Sequence, residues 1–279
     1  MNLEPTLRPA DLERFCDFLY QRTGMVFGES KRYYIERRVA DRLKASGESQ
    51  FSDWFARLRA DPAELEAMIN AFTVNETYFY REDHQLRCLS RSILPAVAKT
   101  KGPGDKIRIW SAPCSTGEEP YSIAIWLLEN WPMVDAYNVE IVGSDIDTAA
   151  LEAARLGRYG ERALMRLPAD VVERYFEPPK DGEREIIQDL KESVAFTPTN
   201  LIEGDSVAEQ GPFEVIFCRN VLIYFDDAAR ARAVDNLYTA LRPGGFICLG
   251  HTESMSRISD RFETHRFDDG VVYSRPERR

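Results

Sequence analysis

The sequence predicts an α/β protein in which an N-terminal helical bundle precedes a mostly parallel sheet with an antiparallel edge strand. Three observations carry this prediction. Up to about residue 75, apolar residues recur at helical spacing. From Lys106 onward, short β-rich runs alternate with amphipathic helical segments, which means a parallel sheet covered on both faces. Near the C-terminus, the runs FETHRF and VVYSR are joined by Asp268-Asp269-Gly270, a hairpin signal.

The helical part reads in order. ADLERFCDFLYQRTG sets Leu12, Phe15, Phe18 and Leu19 on one helix face and closes on Gly24, a natural C-cap. A second helix runs from Ser30 to Gly47, and a third carries Phe51, Trp54, Phe55 and Leu58. A fourth follows Asp61-Pro62 and buries Leu65, Met68, Ile69 and Phe72, with proline in the first turn. TVNETYFYRED then leads to a helix over about 83–98. The alternating part holds the strand segments IRIWSAPC, VEIVGSDI, VAFTPTNL, FEVIFCRN and GGFICLG. A Pro- and charge-rich piece at about 157–192 interrupts it and reads as an insertion. The expected division is 1–75 helical, 76–105 linker and connecting helix, and 106–279 sheet domain.

Bulk properties narrow the function. The 279 residues are 44% hydrophobic and 29% charged, enough apolar material for a sizeable core. No apolar run approaches the roughly 18–20 residues of a membrane span, and MNLEPTLRPADLERF lacks the marks of an export signal. Five dispersed cysteines without a C-x-x-C pair read as reduced, buried thiols, so a cytoplasmic protein without disulfides or zinc is expected. His84, His251 and His265 are scattered and give no metal-ligand spacing. A net charge of −10 argues against a general nucleic-acid binder. Residues 1–100 are nonetheless balanced, with 15 basic and 15 acidic side chains. Within them KRYYIERRVADRLK concentrates Lys31, Arg32, Arg37, Arg38, Arg42 and Lys44. That segment reads either as a solvated helix face or as a site for an anionic partner.

In an open parallel sheet, ligands bind beyond the carboxyl ends of the strands, where strand order reverses. This rule selects four loops: Ser111–Glu119, Ser144–Asp147, Thr199–Leu201 and Arg219–Tyr224. The first, SAPCSTGEEPYS, lets backbone approach a ligand but is neither G-x-G-x-x-G nor a Walker A loop, and its two acids disfavour phosphate. Asp145 stands where a ribose-binding acid belongs, while Asp147 suits the N-cap of the following helix. Arg219, Asn220 and Tyr224 follow a very apolar strand and need partners, which a ligand supplies.

Six segments in order, NETYFYR, WSAPCSTGEEPYS, GSDID, FTPTNL, FCRNVLIYFD and RPGGFICLGHTES, resemble the CheR-type chemotaxis receptor glutamate methyltransferases. With the helical domain, the likeness covers nearly the whole chain. The resemblance implies a Rossmann-like S-adenosylmethionine methyltransferase domain, with the insertion as a small β-subdomain. It implies cofactor contacts from Asn75, Thr77, Arg81, Glu118, Asp145, Asn200, Leu201, Arg219 and Asn220. It further implies that Arg81, Arg219 and Tyr224 stand at the reacting centre, with no metal. The partner implied is the acidic methylation helix of a chemoreceptor, met by Arg38 and Arg42, and a monomer is expected. The span Phe176–Phe196 looks short for a form that binds a receptor tether, so a tether-independent enzyme is expected. Two rival readings stand beside this one: methylation of another substrate, and a cofactor-binding regulator without turnover.

Overall fold

The computed structural model describes residues 7–277. Residues 1–6, within the segment read for an export signal, and 278–279 lie outside the described residues.

Four helices form the N-terminal bundle: α1 (Pro9–Thr23), α2 (Arg32–Ser46), α3 (Phe51–Ala60) and α4 (Pro62–Phe72). Their apolar faces meet around Phe15, whose ring lies 5.8 Å from Trp54 and 5.1 Å from Phe72, with Leu19, Ile35 and Met68 buried beside it. α1 stops at Gly24, which takes the left-handed conformation at φ 72°. Asp61 caps α4 by accepting from the Ala63 N–H at 3.0 Å. The expected start of α2 at Ser30 is a 3-10 turn, Glu29–Lys31, before the α-helix proper.

The basic segment differs from expectation at one of its two named arginines. Ile35, Val39 and Leu43 form the buried stripe of α2, and Arg42 sits beside it, facing α4. There it grips Glu64 through two hydrogen bonds of 3.1 and 2.7 Å, and Trp54 Nε1 donates to the same carboxylate at 2.7 Å. Glu64 is 3% exposed, so the Arg42 charge is consumed inside the bundle and is not presented to a partner. Arg38 lies over the Tyr34 ring at 4.9 Å, and Arg37 and Lys44 are exposed.

The connecting helix forms as α5 (Asp83–Cys88) and α6 (Leu94–Ala98), joined through a π turn at Leu89–Ile93. The sheet domain follows as β1 (Lys106–Ser111), α7 (Glu118–Asn130), β2 (Asn138–Asp145) and α8 (Thr148–Leu156). The inserted piece holds β3 (Arg158–Gly160), α9 (Glu161–Leu164), α10 (Ala169–Tyr175), β4 (Glu183–Glu185) and α11 (Gln188–Ser193), with β3 and β4 paired antiparallel. The chain then resumes with β5 (Val194–Pro198), α12 (Gly204–Ala208), β6 (Phe213–Cys218), α13 (Asp227–Ala240), β7 (Leu241–Leu249), β8 (Glu263–Phe267) and β9 (Gly270–Ser274).

The seven-stranded sheet has the order β5-β2-β1-β6-β7-β9-β8, parallel as far as β7. β9 and β8 are antiparallel, and their hairpin turns at Asp268-Asp269-Gly270 as the sequence indicates. β6 is buried along its whole length, as a central strand covered on both faces must be. Its one charge, Glu214, is met by Lys101 at 2.5 Å, Arg242 at 2.9 Å and the Arg108 N–H at 2.7 Å. Strand order reverses between β1 and β6, which places a crevice above their carboxyl ends. Among the described residues no helix is long and apolar enough to cross a membrane.

Candidate active site

The crevice is a cleft of about 950 Å³, its open mouth included, within the roughly 300–1,000 Å³ usual for small-molecule sites. All four loops selected from the sequence line it, and the bundle closes it with Thr23, Met25 and the 73–77 connector. The two parts are tied at this point: Val26 N–H donates to the Tyr224 carbonyl at 2.9 Å, and Asn200 Nδ2 donates to the Arg22 carbonyl at 2.8 Å. Asn75, Thr77, Arg81, Asp145, Asn200, Leu201, Arg219, Asn220 and Tyr224 all reach the cleft.

Glu118 is not among the lining residues. The loop after β1 turns on Gly117 at φ 93°, where a Cβ would meet Ala154 Cβ at 2.8 Å, and this sharp turn swings Glu118 behind the loop. Its carboxylate accepts from Thr116 Oγ1 at 2.7 Å, and burial raises its pKa. The acid that reaches the cleft is the next one, Glu119.

Asp145 ends β2 and is 6% exposed. Its two oxygens accept N–H bonds from Ser115 at 2.7 Å and Asp147 at 2.9 Å. Each oxygen keeps a lone pair for a ligand hydroxyl. Burial pushes the carboxyl up to about 6, against the pull of those N–H groups. Asp147 is the helix cap, accepting from the Ala150 N–H at 3.0 Å. It also accepts from Asn75 Nδ2 at 2.7 Å and from Thr73 Oγ1, so the connector is fastened to the β2 loop.

Arg219 follows β6 with its side chain 4% exposed. It donates to Glu119 at 2.6 Å and to the Arg81 carbonyl at 2.8 Å, and pairs with Glu82 at 3.1 Å. Burial acts to lower its pKa, but the two carboxylates outweigh that and raise it. These contacts tie Arg219 to the Arg81–Glu82 segment, while its Nε is buried without a partner among the described residues. Arg81 is the less encumbered cation: it donates to the Glu76 carbonyl at 2.6 Å and has no carboxylate within salt-bridge distance among the described residues. The Tyr224 hydroxyl has no hydrogen-bond partner among the described residues, and burial, then Glu76, raise its pKa.

Two residues escaped the sequence reading. Glu119 was passed over for its neighbour. Glu253, just beyond β7, accepts from three backbone N–H groups of the Arg219–Tyr224 loop, at Asn220, Val221 and Leu222, and from the N–H of Gly250. Its signal was an acid in the loop after a strand end, in GHTES. Two non-glycine residues of the cleft lining, Ser115 and Asn220, take left-handed backbone at φ 50° and 58°.

A doubly wound sheet with an acid at the end of β2 and a cleft at the switch point defines a nucleoside-cofactor-binding enzyme. Residues 75–271 match the family described as CheR methyltransferase, SAM binding domain, and residues 10–73 match CheR methyltransferase, all-alpha domain. Chemotaxis protein methyltransferase 2 of Vibrio cholerae serotype O1 is 45% identical, covering 99% of this chain and 96% of its own. The chemotaxis protein methyltransferase of Klebsiella aerogenes is 40% identical over 92% and 87% of the two chains. Chemotaxis protein methyltransferase 2 of Pseudomonas aeruginosa is 37% identical over 89% and 88%. The chain belongs to the CheR methyltransferase family and is an S-adenosylmethionine-dependent methyltransferase.

The cleft fits that cofactor. Asp145 retains acceptor capacity for ribose hydroxyls, and Thr199 Oγ1 is buried without a partner among the described residues. Among the lining residues Glu76, Glu119 and Asp145 outnumber Arg81 and Arg219, which suits a positively charged donor. No group of three or more His, Cys, Asp or Glu side chains converges among the described residues to hold a metal ion.

Proposed function

We propose that the enzyme esterifies glutamate side chains on the cytoplasmic methylation helices of chemoreceptors. The observation that carries this is a cleft that offers an orienting cation and a hydroxyl, Arg81 and Tyr224, to an incoming carboxylate. S-adenosylmethionine, when bound, supplies a methyl group on a positively charged sulfur. With it bound, Asp145 would accept from the ribose hydroxyls, Asn200 and Leu201 would hold the adenine, and Asn75 and Thr77 would hold the cofactor from the connector side. A free glutamate has a pKa of about 4.3, so the acceptor arrives ionised and no proton need be removed. Arg81 and Tyr224 would orient the acceptor carboxylate toward the methyl group, without binding it so tightly that its reactivity falls. Such alignment supplies on the order of 7–11 kcal/mol.

The relatives are named for chemotaxis, and an acidic receptor helix is the partner that α2 suits. Arg38 is the residue of the expected pair left to meet it, with exposed Arg37 and Lys44 on the same helix. The three-residue strands of the inserted subdomain offer little edge for an added peptide strand, which favours an enzyme that acts without a receptor tether. Incubation with methyl-labelled S-adenosylmethionine and receptor-bearing membranes tests the proposal. Base-labile label on receptor-sized bands supports it, and label confined to nucleic acid or small molecules rejects it.

A further inference from the structure

The Asn220–Tyr224 loop brings two groups to the cleft, and while its far end is tied to the bundle by the Val26 N–H at the Tyr224 carbonyl, its near end is held from elsewhere. Asn220 stands at φ 58°, a left-handed conformation that costs a non-glycine residue energy unless its surroundings impose it. The imposing group lies behind the loop. Glu253 Oε2 accepts from the N–H of Asn220 at 2.9 Å and of Gly250 at 2.8 Å. Its Oε1 accepts from Val221 at 3.1 Å and Leu222 at 2.8 Å. Four donors converge on one carboxylate, an arrangement only an ionised acid satisfies. The neighbouring backbone is cut to fit: a Cβ at Gly250 would stand 2.8 Å from both Glu253 Oε2 and Asn220 Nδ2.

We propose that Glu253 is the positioning residue of methyl transfer. Its carboxylate fixes the backbone of Asn220–Leu222 and thereby sets Asn220 against the cofactor and Tyr224 against the reacting atoms. Glu253 itself acts only through that backbone. The inference rests on the reading that places Tyr224 at the reacting centre, and its test separates the two.

The perturbation is Glu253→Gln, which keeps the shape but turns an NH2 group toward two of the four N–H donors. Glu253→Asp serves as a second variant, because its carboxylate keeps the charge on a side chain one methylene shorter. Steady-state kinetics and S-adenosylhomocysteine calorimetry are run well below the melting temperature of each variant, alongside Tyr224→Phe and the double variant Glu253→Gln/Tyr224→Phe. The expected result is a fall in kcat of tenfold or more and a several-fold loss of S-adenosylhomocysteine affinity, with KM for the methyl acceptor little changed. Because Glu253 acts through the loop, its substitution should cost much less kcat once Tyr224 is already Phe. The proposal is overturned if Glu253→Gln and Glu253→Asp lower the melting temperature but leave kcat and cofactor affinity within twofold of wild type. It is equally overturned if the kcat losses of Glu253→Gln and Tyr224→Phe simply multiply. Should Tyr224→Phe alone leave kcat unchanged, the Tyr224 reading fails, and S-adenosylhomocysteine affinity, reported through Asn220, still decides the role of Glu253.

Discussion

Asp145 links cofactor binding to pH in a way that can be worked out from its surroundings. Burial holds its carboxyl at about 6 in the ligand-free enzyme, against an ordinary value of 3.8. Ribose hydroxyls donate best to the ionised form, so binding favours deprotonation. Below pH 6 the site must lose a proton before it binds; above pH 7 it is ready. With about nine in ten sites protonated at pH 5, apparent affinity should rise about tenfold between pH 5 and pH 8. About half a proton should be released on binding at pH 6, and almost none at pH 8. Glu118 and Glu119 are also raised by burial, so the comparison is with Asp145→Asn, which removes this titration alone. That variant loses a charge-assisted hydrogen bond of about 1.5–3 kcal/mol, and S-adenosylhomocysteine affinity at pH 8 should fall about tenfold or more. Calorimetry in two buffers of different ionisation heat reads both quantities. A dissociation constant independent of pH between 5 and 8, or an Asp145→Asn variant that binds as wild type does, would refute the ribose role. In the ligand-free protein the same raised value has a consequence for the fold. Asp145 contributes stability that is fully present below about pH 4 and lost as pH rises through about 6.

Arg42→Ala should lower stability by about 3 kcal/mol, the low end for breaking a buried ion pair because Arg42 is partly exposed; urea unfolding reads this. Burial pushes Glu64 upward, but Arg42 and Trp54 outweigh it and hold its pKa low. The stability from that pair should accordingly be present above the ordinary value of 4.5 and be lost as pH falls through the folded value. Arg38→Ala should leave stability within about 0.5 kcal/mol while raising KM for receptor and flattening its salt dependence; identical rates across a salt series would return α2 to a solvated face. Tyr224→Phe should reduce kcat more than S-adenosylhomocysteine affinity, and collapse of affinity instead would place the hydroxyl in the binding shell.

What was legible in the sequence was local. The stop of α1 at Gly24, the first-turn proline of α4, and the Asp268-Asp269-Gly270 hairpin are each written within a few residues, and each formed. The four cleft loops were legible because alternating strands and helices fix which strand ends face the ligand. The partners of individual charges were not. Arg42 meets Glu64 across 22 residues, Asn220 meets Glu253 across 33, and Arg219 meets Glu119 across 100. A charge on a periodic helix reads the same whether it faces solvent or a carboxylate on a neighbouring helix, so Arg42 looked free. The Glu118–Glu119 pair was ambiguous for a related reason. Adjacent residues at the start of a helix point about 100° apart, and only the turn at Gly117 decides which one faces the cleft.

The most direct test of glutamate esterification is mass spectrometry of a purified chemoreceptor cytoplasmic fragment after incubation with the enzyme and S-adenosylmethionine. The account predicts one added methyl mass on peptides from the methylation helices, assigned to glutamate, removed by mild base with release of methanol, and absent when that glutamate is replaced by alanine. A base-stable methyl group, or one on any side chain other than a carboxylate, would contradict it.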